Sequence, residues 1–222
     1  MDDHKVISED GFHTISSSVY GVTYHSIYGA LNESITVFLS AGLQFQILKG
    51  KKKISIFEMG LGTGLNALLT LIDADTTNIN IDYTAIELHP LNWQDASELN
   101  YISELNGQHW KPSFQSMHTS PPGQYIDLSS TFRFRKYHGD LLSTDIEDQY
   151  DVIYYDAFAP TAQEELWTPI AMEKMYNMLH PGGVLVTYCA KGSFKRALRS
   201  VGFKVEALPG PPGKREMTRA HK

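Results

Sequence analysis

Ile54-Ser-Ile-Phe-Glu-Met-Gly-Leu-Gly-Thr-Gly64 is an apolar run that leads straight into three alternating glycines. The residues after it, from about Gly64 to Ile72, have helical character, so the segment reads as strand, turn, helix. Glycines in such a turn let a ligand approach the backbone closely. A second apolar run, Ile81–Glu87, ends on a carboxylate, the position from which a nucleotide-type sheet grips ribose hydroxyls. Together the two runs outline the start of an α/β sheet and predict an enzyme with an adenosine-containing cofactor.

The glycine spacing narrows the choice. Gly60, Gly62 and Gly64 form Gly-x-Gly-x-Gly, followed by Leu65 and Asn66, whereas the dinucleotide fingerprint is Gly-x-Gly-x-x-Gly, built to seat a diphosphate on a helix N-terminus. Glu58 stands two residues before the first glycine, and a carboxylate there suits a cationic ligand end better than a diphosphate. S-adenosylmethionine has an amino group and a sulfonium and lacks phosphate. Glu87 selects a free ribose but does not by itself separate that cofactor from NAD. Asp140, after Gly139 at the tip of an expected third strand, is placed to accept the adenine amino group, with Leu141 near the ring.

Tyr154-Tyr-Asp-Ala-Phe-Ala-Pro160 ends the expected fourth strand on Asp156, facing the crevice where ligands bind in such sheets. Phe158 and Pro160 add an apolar rim on which a planar base can stack. An acid beside an aromatic ring fits methyl transfer to an amine: the carboxylate orients the amine and takes its proton, and the ring holds the acceptor in line.

The rest of the chain fills out the architecture. Residues 12–28 predict a short hairpin, and Leu31, Ile35, Phe38, Leu39, Leu43 and Ile47 repeat at helical spacing over 30–48. After strand two, His89-Pro90 opens a helix carrying Leu91, Trp93, Ala96, Leu99 and Ile102. Residues 106–124, rich in Pro and Gly, predict loop, and Tyr125–Leu128 with Phe132–Tyr137 predict a hairpin. Asp151–Tyr155 is strand four, Trp167–Leu179 a helix, His180-Pro-Gly-Gly183 a tight turn and Val184–Cys189 strand five. Ser193–Val201 predicts a helix with Ser193 as N-cap, followed by strands Phe203–Leu208 and Arg215–Ala220. The expected fold is α/β: a Rossmann-like class I methyltransferase with a mainly parallel seven-stranded sheet and an antiparallel last strand. Residues 1–50 are expected to form a hairpin-and-helix extension on a 51–222 catalytic domain.

The chain has 222 residues, 42% hydrophobic and 20% charged, which suits one globular core. No apolar run approaches a membrane span, the start Met1-Asp-Asp-His-Lys is no signal peptide, and a single Cys189 fits a reducing cytoplasm as a buried, inert thiol. The nine histidines are scattered and there is no cysteine cluster, so no metal site is expected. Net charge is −6, but residues 191–222 hold nine Lys or Arg against two Glu, a balance of +7 that leaves −13 on the remainder. A basic C-terminal stretch on an acidic body suggests phosphate contacts.

Several motifs carry a resemblance. Phe57-Glu-Met-Gly-Leu-Gly-Thr-Gly-Leu-Asn66, Glu87-Leu-His-Pro90, Asp156-Ala-Phe-Ala-Pro160 with Trp167, Pro181-Gly-Gly183 and Gly213-Lys-Arg-Glu-Met217 resemble the methyltransferase domain of the MnmC family. Tyr24-His-Ser26 and Gly29-Ala-Leu-Asn-Glu-Ser34 are similar too, and the likeness runs from about residue 10 to 219. It implies S-adenosylmethionine-dependent N-methylation of 5-aminomethyl-(2-thio)uridine at wobble position 34 of tRNA. It implies that Glu58, Gly60, Gly62, Gly64, Asn66, Glu87, Leu88, Asp140 and Leu141 hold the cofactor, that Asp156 adjoins the amine, and that Phe158 faces the uridine. The family's fused flavin domain is not expected in a chain ending at Lys222, which resembles the stand-alone form, often called MnmD. Where Ala157 stands, the family usually has glycine, so the loop has less backbone freedom here. Lys191, Lys195, Arg196, Arg199, Lys214 and Arg215 are candidate tRNA contacts, with Arg133, Arg135 and Lys136 of the inserted hairpin as additions.

Other readings compete. A small-molecule amine methyltransferase or a polyamine-type aminopropyltransferase shares the acid and the cofactor loop, and the acidic body suits a cationic amine. The basic tail argues against it. A nicotinamide-dependent oxidoreductase is disfavoured by the glycine spacing and the antiparallel ending. A non-catalytic binding module is disfavoured by the intact set Glu87, Asp140 and Asp156.

Overall fold

The computed structural model describes residues 4–222; residues 1–3, which begin both the expected N-terminal extension and its polar start, lie outside the described residues. Strands β3 (Lys53–Met59), β4 (Asn80–Glu87), β6 (Phe132–His138), β7 (Tyr150–Tyr155), β8 (Leu179–Thr187), β9 (Lys204–Pro209) and β10 (Glu216–His221) build the sheet in the order β6-β4-β3-β7-β8-β10-β9. A two-residue strand, β5 (Ile126–Asp127), adds an eighth member by pairing antiparallel with β6. The pairs β3·β4, β3·β7, β4·β6 and β7·β8 are parallel, and β10 runs antiparallel between β8 and β9. The class I ending expected from the short Pro/Gly connection at 209–213 is therefore present.

The chain steps outward from β3 to β4 and β6, then returns to place β7 on the other side of β3. That reversal opens a crevice at the carboxyl ends of β3 and β7, where open α/β sheets bind ligands. Register aligns the rim: Met59 pairs with Ile86 and with Tyr155, and Glu87 pairs with His138. Gly60, Glu87, Gly139 and Asp156 consequently leave the sheet at one level.

Side chains alternate between two cores, one on each face. Ile81, Tyr83, Ala85, Val152 and Tyr154 enter one core, with Val37, Leu43 and Leu68 from the helices above. Ile86, Ile153 and Tyr155 enter the other, with Met175 and Leu198. Strand β7, buried at every position, reads as a continuous apolar run because both its faces are covered.

Helix α1 covers residues 30–48, as the spacing predicts, but its middle, Ser34–Gln44, is wound as a π-helix. Gly42 lets it lie tight on the sheet: a Cβ there would meet Tyr154 Cε1 and Val152 Cγ1 at 3.0 Å. Helix α2 (Leu65–Thr77) runs a turn beyond its expected end and stops at Asn78, which adopts φ 55°.

Several expectations are corrected. The regular N-terminal hairpin lies earlier, pairing β1 (His4–Ile7) with β2 (His13–Ser16), because Glu9-Asp-Gly11 makes the turn, with Gly11 at φ 86° and the Ser8 hydroxyl donating to Asp10, while within 12–28 the chain folds back only through an isolated antiparallel bridge between Ser16 and Thr23. The single helix expected after His89-Pro90 is two short ones, Trp93–Ser97 and Tyr101–Glu104, separated by Asn100. The Asn100 side chain accepts from His13 N–H (2.8 Å) and donates to Gly11 O (2.8 Å), so the break anchors the hairpin. Residues 106–124 are not all loop: a 3-10 turn at Gln108–Trp110 leads into helix Lys111–Thr119, whose Pro112 sits in the first turn, where no amide donor is needed. Residues 180–183 are a bulge inside β8, since Tyr150 pairs with Leu179 but Val152 with Val184. The helix expected at Ser193 begins at Gly192, and no side chain caps it.

Candidate active site

Around the crevice one pocket enclosing about 710 Å³, open mouth included, is lined by Gly60, Gly62, Glu87, Leu88, Asp140, Leu141, Asp156 and Phe158 among others. The remaining candidates lie one layer deeper. Glu58 is fully buried in β3, Asn66 is buried on the first turn of α2, and Gly64 begins that helix against His118 and Phe114.

The glycine turn is shaped by its neighbours. Gly60 adopts φ 86°, and a Cβ there would stand 2.7 Å from the Asp156 carbonyl oxygen. Gly62 adopts φ 50°, and its Cβ would strike the Tyr24 ring at 2.8 Å. The Gly62 N–H donates to Glu87 Oε2 (2.9 Å), and the His89 N–H to Glu87 Oε1 (2.9 Å), so the carboxylate at the tip of β4 is fixed in orientation with lone pairs to spare.

Both Glu58 carboxyl oxygens are buried without a hydrogen-bond partner among the described residues. Burial pushes its pKa well above the usual carboxylate range, and the charge of Asp156 adds to this. Tyr83 and Asn66 favour the ionised form from nearby, yet neither reaches hydrogen-bond geometry. An unpartnered acid under a glycine turn is matched to a ligand cation. The residues present thus fit S-adenosylmethionine, whose positively charged amino-acid end would sit above an acid that has no other partner among the described residues.

Asp156 follows β7, with its N–H bonded to Met59 O (3.0 Å) and its Oδ2 accepting from the Asn66 amide (2.9 Å). Desolvation, with the charge of Glu33 second, pushes its pKa up to about 8, against the Asn66 hydrogen bond and the charge of Lys214. The loop after it is pinned at three points. The Gln163 side-chain oxygen accepts from Phe158 N–H (2.9 Å), the Trp167 indole donates to Phe158 O (2.8 Å), and the Tyr188 hydroxyl donates to Ala157 O (2.8 Å). Ala157 is buried without positive φ, so alanine fits where the family usually has glycine.

Sequence reasoning missed the aromatic wall. Tyr20 lies tilted against Phe158, ring centres 4.7 Å apart, and Tyr24 meets it edge-on at 5.0 Å, while Gln163 Nε2 donates to the Tyr20 hydroxyl (3.1 Å). Below them His25, held neutral by burial with its pKa lowered to about 4, shares a hydrogen bond with Thr63 (2.8 Å), which also accepts from Tyr101 (2.9 Å). Tyr24 and His25 fall in the Tyr24-His-Ser26 motif, whereas no local pattern marks Tyr20.

The inserted hairpin does not offer its cations. Arg133 pairs with Asp82 (2.9 Å), Arg135 pairs with Asp148, and Lys136 is buried on the Met117 and His118 carbonyls. Of the C-terminal candidates, Lys195 is bound to Glu216 (2.9 Å) and Lys214 to Glu33, whereas Lys191, Arg196, Arg199 and Arg215 are exposed and form no ion pair among the described residues. Cys189 is buried, and burial pushes its thiol pKa up, as an inert thiol requires.

Sheet order, glycine turn and rim acids define a class I S-adenosylmethionine-dependent methyltransferase. A family model described as S-adenosyl-L-methionine-dependent methyltransferase matches residues 107–222, and the chain belongs to that family. The tRNA 5-methylaminomethyl-2-thiouridine biosynthesis bifunctional protein MnmC of Cupriavidus necator is 31% identical over 213 residues, 90% of this chain and 31% of that one. Its counterpart in Idiomarina loihiensis is 29% identical over 219 residues, 92% of this chain and 36% of that one. The chain spans about a third of the length of these curated relatives. The crystal structure of MNMC2 from Aquifex aeolicus superposes with a TM-score of 0.78 at 22% identity, over 99% of this chain and 70% of that one, and shares the fold.

Proposed function

We propose that this methyltransferase N-methylates the 5-aminomethyl group of (2-thio)uridine at wobble position 34 of tRNA, in the cytoplasm. The observation that carries the reading is Asp156, an acid with its pKa raised to about 8, set between the glycine turn and the Phe158–Tyr20–Tyr24 wall. The names of the MnmC relatives, which concern 5-methylaminomethyl-2-thiouridine in tRNA, support the choice of acceptor.

In this reading Gly60, Gly62, Glu87, Leu88, Asp140 and Leu141 seat the cofactor, while Glu58, Gly64 and Asn66 act from beneath. Bound S-adenosylmethionine supplies a methyl group on a positively charged sulfur. The amine lone pair forms the new N–C bond as the C–S bond breaks, and sulfur keeps the electron pair. The proton the nitrogen must lose goes to Asp156. An alkylamine resembles Lys, near pKa 10.4, so raising the carboxyl from 3.8 to about 8 narrows the gap between acid and amine from about six and a half to about two and a half pH units. Phe158 and the tyrosines give the uridine a face to stack on.

The flanking RNA lies along the basic C-terminal stretch. A groove beside the Asp156–Pro160 loop is lined by Pro160, Trp167, Lys191 and Arg196, with Glu164 the acid at its edge. Its unpaired cations suit a phosphate backbone.

The test is methyl transfer from labelled S-adenosylmethionine into tRNA from cells lacking this step, followed by nucleoside analysis. Label in 5-methylaminomethyl-type uridine is the expected result. Tight cofactor binding without labelled tRNA would move the acceptor to a small amine.

A further inference from the structure

Three stretches remote in sequence meet behind Asp156. Glu33, buried on α1, accepts from Ser26 N–H (3.0 Å) and is bonded to the Lys214 ammonium from the loop between β9 and β10. That ammonium also lies 3.9 Å from the centre of the Tyr188 ring. Tyr188 in turn holds the carbonyl of Ala157, the residue after Asp156 (2.8 Å). The loop delivering Lys214 is tightly set: Gly213 adopts φ 80°, and a Cβ there would stand 2.5 Å from the Tyr28 ring.

We propose that Lys214 and Glu33 are a pair of opposed positioning residues that set the protonation of Asp156, Lys214 favouring the carboxylate and Glu33 opposing it. The inference rests on the reading of Asp156 as the proton acceptor. Its basis is geometric. A surface latch between chain ends would sit in water and act on nothing else. This pair is drawn inward, one partner almost fully buried, against the ring that braces the Asp156 loop. Charges in such a site act on each other far more strongly than in water. Lys214 is held on Glu33 and makes no ion pair with Asp156, so the carboxyl stays open to the pocket while feeling a nearby cation. A direct Lys214–Asp156 pair would shut out a cationic amine.

The charged and titratable groups around Asp156 are Glu58 from β3, Tyr83 from β4, Glu33 from α1, Tyr188 after β8 and Lys214 from the last hairpin, with His25 facing Glu33 and Lys214. The charge of Glu33 raises the Asp156 pKa and that of Lys214 lowers it.

The experiment is a carbon-13 carboxyl titration of aspartate-labelled full chain, with Asp156 assigned from Asp156→Asn. The variants are Lys214→Met, Glu33→Gln, both together and Lys214→Arg. Lys214→Met is expected to raise the Asp156 midpoint, and Glu33→Gln to lower it, each by about half a pH unit or more. The double variant should return towards wild type, and Lys214→Arg should restore the wild-type midpoint. Shifts of the same sign, or none, in proteins that still bind S-adenosylhomocysteine would overturn the proposal. If Lys214→Met alone does not fold, with buried Glu33 left unpaired, the double variant is compared with Glu33→Gln. Removing Lys214 must then still raise the midpoint, and no rise overturns the proposal equally. The titration reads Asp156 whether or not it takes the amine's proton. Opposite shifts that the pH profile of kcat/KM does not follow would sink the base role and leave the pair standing.

Discussion

Asp156 must be an anion to accept a proton, yet its surroundings favour the acid until the pH nears 8. Activity is therefore expected to climb through pH 8 rather than to level off near neutrality, as the pH profile of kcat/KM will show. Asp156→Asn should lower kcat by about 10²–10⁴-fold and leave S-adenosylhomocysteine binding within a few-fold of wild type by calorimetry. Equal loss of cofactor binding would remove the role given to it. The same residue affects stability. Its folded pKa lies above the unfolded value, so the native state binds the extra proton and stability falls as pH rises from about 4 through about 8. Asp156→Asn should remove that slope and make the protein more stable at pH 8 by about 1–3 kcal/mol, with little gain at pH 4, as denaturant titrations at the two pH values will measure. Gly62→Ala acts on the other side of the pocket. Positive φ and a Cβ 2.8 Å from Tyr24 predict at least about tenfold weaker cofactor binding, read by calorimetry, with the fold retained.

At the scale of elements, legibility followed period and context. Strands β3, β4 and β7 were plain in the sequence because most of their positions are buried on both faces of the sheet, so apolar residues dominate each run. Helix Lys111–Thr119 was hidden because Pro112 reads as a breaker unless the chain is known to start a helix there. The N-terminal hairpin turns locally at Glu9-Asp-Gly11 but is tied to the body by Asn100, 87 residues from His13, which accepts from His13 N–H and donates to Gly11 O. That seam is testable. Asn100→Ala leaves a donor and an acceptor without partners and should cost about 1–3 kcal/mol in denaturant unfolding, with methyl transfer lost only as Tyr20 and Tyr24 loosen. An unchanged midpoint would show that the hairpin is held elsewhere.

For the whole molecule, charge is sorted as well as summed. The net charge is −6, yet the C-terminal stretch holds four exposed cations, Lys191, Arg196, Arg199 and Arg215, that form no ion pair among the described residues, and two of them line the groove beside the Asp156 loop. Arg196→Glu with Arg199→Glu should weaken tRNA binding at least about tenfold and flatten its dependence on salt, measured by filter binding across a salt series, with S-adenosylhomocysteine affinity unchanged. Arg133→Ala should change neither, since that side chain is committed to Asp82.

By itself the sequence determined the sheet, the glycine turn, the rim acids Glu87, Asp140 and Asp156, and the cofactor class. Each is a local pattern: an apolar run, a glycine at a fixed offset, a carboxylate at a strand tip. Only the tertiary structure decided which cations are spent in ion pairs, that Tyr20 and Tyr24 wall the pocket with Phe158, and that Glu33 and Lys214, 181 residues apart, close behind Asp156. Such contacts join distant segments and come from packing, and the desolvation that lifts the Asp156 pKa exists only once those segments have closed around it.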